Sequence, residues 1–167
     1  MVEEFVTPDN WPALLPAPVD AVIDACDQSS AKLALAAWAL SAGVPLVCVG
    51  AAGGKRLAQR VEVEDLADAT HDPLLAGLRQ RLRKQGAAAR QGRIGLRCVF
   101  SREAVAAPMQ ACDAGEAGDA DAASAAAPAS DGSLNCAGYG SSVTVTGTFG
   151  MVAAGEALAL VQARSVA

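Results

Sequence analysis

Two apolar runs of strand length, separated by one segment of helix length, constrain this chain more than anything else in it. Residues 19–24 are almost continuously apolar, as parallel strands buried on both faces are. Ser29 or Ser30 can cap a helix directly after them. Leu33, Ala36, Ala37 and Leu40 then recur at i, i+3, i+4 and i+7, and Gly43 supplies the stop. Residues 45–49 form a second buried strand, with Pro45 tolerated at its first position. Strand, helix and strand at this spacing predict a βαβ unit, right-handed by default, and with it an α/β fold. In open α/β sheets ligands gather where parallel strands end and helices begin. Asp24 and Asp27 stand at that junction, so Val22-Ile23-Asp24-Ala25-Cys26-Asp27 is the leading candidate site; the alternative is a buried strand ending in a polar turn.

The uncharged stretch 33–54 is long enough to cross a bilayer, but Gly43-Val44-Pro45 interrupts it and Ala and Gly dilute it. Helix, turn and strand fit it better, which argues against a membrane span. The 167 residues suffice for one core, at about 100–200 residues per domain. With 13 basic and 18 acidic residues the net charge is −5, which suits a soluble protein and disfavours nucleic-acid binding over the whole surface. Cys26, Cys48, Cys98, Cys112 and Cys136 lie far apart, without a C-x-x-C pair that would suggest zinc. Their odd number, with no signal peptide, points to reduced thiols and a cytoplasmic location.

Elsewhere, residues 1–6 read as a strand ended by the turn chemistry of Thr7-Pro8-Asp9-Asn10. Gly50-Ala51-Ala52-Gly53-Gly54 is either a close backbone approach to a ligand or a flexible turn; it matches neither G-x-G-x-x-G nor the P-loop. Residues 60–64 alternate as a half-exposed strand, with Val61 and Val63 on one face. Asp72-Pro73 is a strong helix start, Leu74, Leu78 and Leu82 run down one face, and Gly86 ends the helix. Between residues 79 and 102 stand eight basic residues and no acidic one. That is either a solvated helix face with cations at its C-terminal end or a surface for an anionic partner such as RNA. Residues 96–101 form a short strand carrying Cys98. Residues 111–132, with five acids and no strand-forming residue, predict a mobile loop. Residues 143–146 alternate like a strand, whereas Phe149, Val152, Ala153, Leu158 and Val161 follow a helical period.

In this order the pieces resemble the ThiF/MoeB/HesA family of ubiquitin-activating-enzyme-like adenylating proteins, and within it the tRNA threonylcarbamoyladenosine dehydratases. The likeness rests on Phe5-Val6-Thr7-Pro8-Asp9-Asn10, Val22-Ile23-Asp24-Ala25-Cys26-Asp27, Lys32, Gly50-Ala51-Ala52-Gly53-Gly54 and Asp65-Leu66-Ala67. It continues through Asp72-Pro73-Leu74, Cys98-Val99-Phe100-Ser101, Cys136-Ala137-Gly138-Tyr139-Gly140 and Gly147-Thr148-Phe149-Gly150. By analogy the C-terminal segment is helical throughout. The resemblance implies ATP-dependent dehydration of N6-threonylcarbamoyladenosine in tRNA to its cyclic form, through adenylation of the substrate carboxylate. It implies that Asp27 holds Mg2+ against ATP, that Asp24 supports the turn, and that Lys32 is a weaker ligand of the nucleotide. Arg79, Arg81, Arg83 and Lys84 would face tRNA. Cys98 is either a thiol nucleophile, its pKa lowered by Arg97 and the basic stretch, or a small buried residue. Cys136 opens a turn that would help bind a monovalent cation, and His71 reads as a surface or capping residue.

The resemblance also implies what is missing. The family's Gly-rich phosphate turn precedes the point matching Met1, and residues 1–167 contain no strand–G-x-G-x-x-G–helix. The expectation is therefore one partial domain over 1–167. It would be the second half of a Rossmann-like adenylation fold, a mostly parallel sheet with flanking helices, truncated and inactive alone. Implied partners are tRNA, a second copy of the chain, and a sulfur-transfer or cysteine desulfurase system; no membrane is implied. The rival readings are adenylation of a ubiquitin-like sulfur carrier, disfavoured by the absent C-x-x-C pairs, and a non-catalytic dimerising half-domain.

Overall fold

The structure, a computed structural model, describes residues 2–105 and 140–165. Its elements follow as β1 (Val22–Asp24), α1 (Ser29–Ala42), β2 (Leu46–Val49), β3 (Val61–Asp65), α2 (Pro73–Lys84), β4 (Arg97–Ser101) and α3 (Val143–Ser165), with a single 3-10 turn, Ala58–Arg60, before β3. The sheet order is β1-β2-β4-β3. β1, β2 and β4 are parallel, with Asp24 opposite Cys48 and Cys48 opposite Cys98, while β3 runs antiparallel to β4. The expected βαβ unit is β1-α1-β2, and the sheet is mixed, with three of its four strands parallel.

Side-chain alternation along β2 and β4 divides the interior in two. Leu46, Cys48, Leu96, Cys98 and Phe100 face α1 and α2, where they meet Ala36, Ala39, Leu75, Leu78 and Leu82. Val47 and Val99 point the other way and pack with Val145, Phe149 and Ala153 of α3, together with Val61 and Val63. The result is three layers, with α1 and α2 on one face of the sheet and α3 on the other. Contact with the Val47–Val99 face explains why 143–146 is helical: Val145 and Phe149, at i and i+4, share one stripe of α3. The outward stripe is apolar too, with Val143, Met151 and Leu158 exposed at 80, 79 and 64%. α3 is thus long and apolar enough to cross a membrane by length and composition, yet it seats Val145, Phe149 and Ala153 on a sheet.

Several local expectations are corrected. Among the described residues 2–6 there is no strand; the chain is irregular until Thr7 and Asn10 close their turn, with the Thr7 amide 2.7 Å from Asn10 Oδ1. The run at 19–24 yields only the three residues of β1, and Ile23 is 44% exposed because β1 lies at the sheet edge with a neighbour on one side only. Neither Ser29 nor Ser30 caps α1. Gln28 occupies the N-cap without a side-chain hydrogen bond, and Ser29 is already helical. The stops and starts chosen for their backbone chemistry hold. Gly43 ends α1 at φ 65°, and Asp72 Oδ1 accepts from the Leu75 amide at 2.9 Å. The buried stripe of α2 is Leu75, Leu78 and Leu82, while Leu74 turns aside. The loop expected at 111–132, Cys112 and the Cys136 turn lie outside the described residues.

Candidate functional site

A cleft of about 300 Å³ opens at the carboxyl ends of β1 and β2. Its walls come from Ile23 and residues 25–27 on one side, Val49 to Gly53 on another, Leu74 of α2, and Ser141, Thr146, Phe149 and Gly150 at the start of α3. The βαβ reading places a site here, and the geometry puts a concave surface at that place.

The two carboxylates of the opening motif part company. Asp24 is buried, and its Oδ2 meets Lys32 Nζ at 2.7 Å with both side chains fully covered. Its Oδ1 accepts from the Cys26 amide at 3.0 Å, which is the turn support expected of it. Lys32 also donates to the Val49 carbonyl at 3.0 Å, joining the ends of β1 and β2 beneath the cleft. Its ammonium is therefore turned inward and reaches the floor of the cleft rather than its space. Asp27 is exposed on the cleft wall, and no salt bridge among the described residues engages it. Between them, Cys26 lines the cleft with its thiol pKa pushed up to about 11, by burial first and by the Asp24 charge second.

The Gly-rich segment is held from outside. Asp72 Oδ2 accepts from the Ala51 amide at 2.8 Å, and a Cβ at Gly50 would stand 2.2 Å from that oxygen. Gly50 is thus required by a close approach, to a side chain of the same protein. Sequence reasoning gave Asp72 a capping role and missed this second one. Lys55 was missed altogether. It is buried, and its ammonium meets three main-chain carbonyls. A lysine following Gly-Gly carries no pattern that separates it from a solvated one.

Cys98 lies in the core facing α1 and α2, not in the cleft. Its thiol, which donates to the Leu96 carbonyl, is pushed well above the ordinary value, by the neighbouring Cys48 thiol first and burial next. The expected activation by Arg97 fails on strand geometry. Neighbouring residues of a strand point to opposite faces, and the Arg97 guanidinium pairs with Glu156 of α3 across the sheet.

The basic stretch is divided as well. Arg79 donates to the carbonyls of Leu66 and Ala69 at 3.0 and 2.7 Å, which fixes the chain between β3 and α2. Arg83 donates to the Gly92 carbonyl at 3.1 Å. Arg102 pairs with Glu62, and Arg93 lies 3.8 Å from Asp65. Arg81 and Lys84 are exposed at i and i+3 on α2, beside a groove completed by Pro8, Ser30, Leu33 and Ala37. His71 is exposed at φ 58°, its Nδ1 3.0 Å from Thr70 Oγ1. Among the described residues no three His, Cys, Asp or Glu cluster as a metal site.

The sequence matches the ThiF family over residues 1–166. It is 36% identical to the tRNA threonylcarbamoyladenosine dehydratase of Escherichia coli (strain K12), over 99% of this chain and 60% of that protein. The dehydratase of Haemophilus influenzae is 27% identical, over 92% of this chain and 54% of its own length. Among solved structures, the E. coli dehydratase in complex with ATP superposes with a TM-score of 0.76 at 34% identity, covering 99% of this chain and 57% of the other. Its complex with AMP gives 0.77 at 33%, covering 99% and 58%. The chain thus spans somewhat more than half the length of these relatives.

Proposed function

The chain belongs to the ThiF family, and from that premise we propose that it serves ATP-dependent dehydration of N6-threonylcarbamoyladenosine in tRNA, in the cytoplasm. The observation that carries this reading is the division of labour between Asp24 and Asp27. Lys32 neutralises the first, so the second is the carboxylate left facing the cleft. Mg2+ prefers one or two carboxylates plus phosphate oxygens to a cage made wholly by protein. One exposed carboxylate fits that requirement, and Asp27 would hold Mg2+ there with the phosphates of ATP.

ATP, when bound, would give the substrate carboxylate an AMP group with release of pyrophosphate, so that the carboxylate oxygen leaves with AMP when the substrate's own nucleophile attacks the acyl carbon. The chain's own part is to position. Lys32 and Asp24 fix the floor, Asp72 fixes residues 50 and 51 as a wall, and Leu74 and Phe149 exclude water. Charge on the phosphates calls for backbone N–H donors that residues 1–167 do not supply as a G-x-G-x-x-G turn. In this reading the chain is the second half of the adenylation fold and its open β1 edge receives the strands of the first. Arg81 and Lys84 would meet tRNA phosphates. The buried, upshifted thiol of Cys98 favours a structural part for it, with ring closure by the substrate's own nucleophile.

The test is mass analysis of tRNA carrying the nucleoside, incubated with ATP, Mg2+ and this chain, with and without the amino-terminal portion of the E. coli relative. Loss of one water from the nucleoside, abolished by Asp27→Asn, is expected. An unchanged nucleoside under both conditions would sink the proposal.

A second reading, self-association, is favoured by the outward stripe of α3. Met151 and Leu158 are exposed at i and i+7, with Gly147, Ala154 and Gly155 between and beside them. An apolar helix face this open is a surface for another chain, and a second copy presents the same face. Sedimentation should give a dimer that Met151→Glu with Leu158→Glu converts to a monomer; a monodisperse monomer of the unsubstituted chain would exclude it.

A further inference from the structure

Lys55 follows Gly53-Gly54, yet only 2% of it is exposed. Its Nζ donates to the carbonyl of Ser101 at 2.7 Å and to those of His71 and Glu103 at 3.1 Å each. An ammonium has three N–H donors and no acceptor, so three carbonyls satisfy it completely. Among the described residues no carboxylate oxygen bonds to it; the charges of Asp72 and Glu103 act through space, against the burial that lowers its pKa. A buried unit charge is therefore solvated by main-chain dipoles, the arrangement by which proteins replace the hydration shell of a monovalent cation.

The three carbonyls come from different places: the turn before α2, the end of β4 and the segment just beyond it. Around the ammonium the fold closes a circuit. Glu103 Oε2 accepts from the Arg56 and Leu57 amides at 2.9 and 2.8 Å, and the Glu103 amide donates to Ser101 Oγ at 3.1 Å. One residue before Lys55, the Gly54 amide donates to the Gly140 carbonyl at 3.1 Å, and Gly53 lines the cleft. Whatever holds Lys55 therefore holds the end of the cleft wall.

We propose that the Lys55 ammonium is a tethered cation, filling a three-carbonyl cage that accepts K+ or NH4+ when the side chain is removed, and that it thereby positions residues 50–54 of the cleft wall. Lysine packing alone would make the loss of the side chain indifferent to the salt present. The tethered-cation role makes it selective.

The experiment is thermal unfolding of the full chain and of Lys55→Ala in KCl, NH4Cl and tetramethylammonium chloride at equal ionic strength. In tetramethylammonium the variant should melt about 5 °C or more below the unsubstituted chain, since three buried carbonyls lose their partner. KCl or NH4Cl should restore more than half of that loss, while the unsubstituted chain melts alike in all three. An equal loss in the three salts overturns the proposal, and so does no loss. Should Lys55→Ala not fold, nitrogen-15 NMR of the unsubstituted chain decides. A protected ammonium resonance of Lys55 at neutral pH supports the cage, and a rapidly exchanging one overturns it. Neither readout depends on nucleotide.

Discussion

Asp72 Oδ2 accepts a hydrogen bond from the Ala51 amide at 2.8 Å, tying the first turn of α2 to the loop after β2 across 21 residues of sequence. Its other oxygen caps α2 through the Leu75 amide at 2.9 Å. Both oxygens are thus committed, and the carboxylate is locked where Gly50 passes it.

That lock predicts an asymmetric pair of outcomes. Asp72→Ala loses a helix cap and leaves the Ala51 amide without its partner, for about 2–3 kcal/mol in urea unfolding. Asp72→Asn has one acceptor oxygen, which keeps the cap but turns an NH2 group toward the Ala51 amide, so it should recover only the capping part of that loss. Gly50→Ala places a methyl group 2.2 Å from an oxygen that is held by two donors. It should therefore cost stability comparable to Asp72→Ala, and combining Gly50→Ala with Asp72→Ala should cost clearly less than the sum. Additive losses would show the contact to be slack.

The thiols yield a second prediction. Cys48 and Cys98 face each other on neighbouring parallel strands inside the core facing α1 and α2, and the Cys98 thiol is held in its protonated form. Cys26 touches the cleft, but burial and Asp24 raise its thiol to about 11. Thiolate is the reactive form, which Cys26 and Cys98 disfavour, and Cys48 is fully buried, so all three should resist iodoacetamide at pH 7 in the folded chain and react in denaturant. Peptide mapping after a timed alkylation measures this; fast modification of Cys98 in the folded state would restore it as a nucleophile.

Much of this arrangement was legible in the sequence, and what was not has a common cause. The βαβ unit, the Gly43 stop and the Asp72-Pro73 start depend on local backbone chemistry, which the residue types report directly. The edge position of β1, and with it the exposure of Ile23, depends on which strands pair, and an apolar run carries no record of its neighbours. The eight basic residues read as one feature along the chain. Folding then sends Arg79 and Arg83 to carbonyls, Arg93 toward Asp65, Arg97 to Glu156 and Arg102 to Glu62, leaving Arg81 and Lys84 on the open face of α2 and Arg90 exposed beyond it. Asp24 and Asp27 separate for the same reason. Lys32 selects one of them by reaching back from the first turn of α1, a tertiary choice that spacing alone does not specify.

Asp65 sets a pH dependence. Burial opposes its ionisation, but the amides of Ile94, Ala67 and Gly95 and the charge of Arg93 outweigh it, so its pKa lies below the ordinary 3.8. A lowered folded-state pKa means that the unfolded chain takes up the proton first as pH falls. The stabilisation is complete above the unfolded value and is lost progressively as pH drops through it toward the folded one. Asp65→Asn should therefore be less stable than the unsubstituted chain at pH 6–7 and lose less between about pH 5 and pH 3. Parallel acid limbs in urea titrations of the two chains would contradict the assignment.

The basic helix allows the two roles of its arginines to be separated. Arg79 is bound to the carbonyls of Leu66 and Ala69, so Arg79→Ala removes two hydrogen bonds from a charged donor and should cost about 1.5–3 kcal/mol of stability. Arg81 and Lys84 project from the exposed face, and Arg81→Ala with Lys84→Ala should leave the melting temperature within about 1–2 °C, as surface substitutions do. If this face meets tRNA, the same pair should weaken tRNA binding and lower the magnitude of the slope of log K against log salt by about 1–2, because each lost phosphate contact releases fewer counterions. Fluorescence anisotropy at several KCl concentrations reads both quantities. A double variant that melts normally and binds tRNA with an unchanged salt slope would remove α2 from the tRNA surface, while a slope reduced without loss of stability places the contact on Arg81 and Lys84.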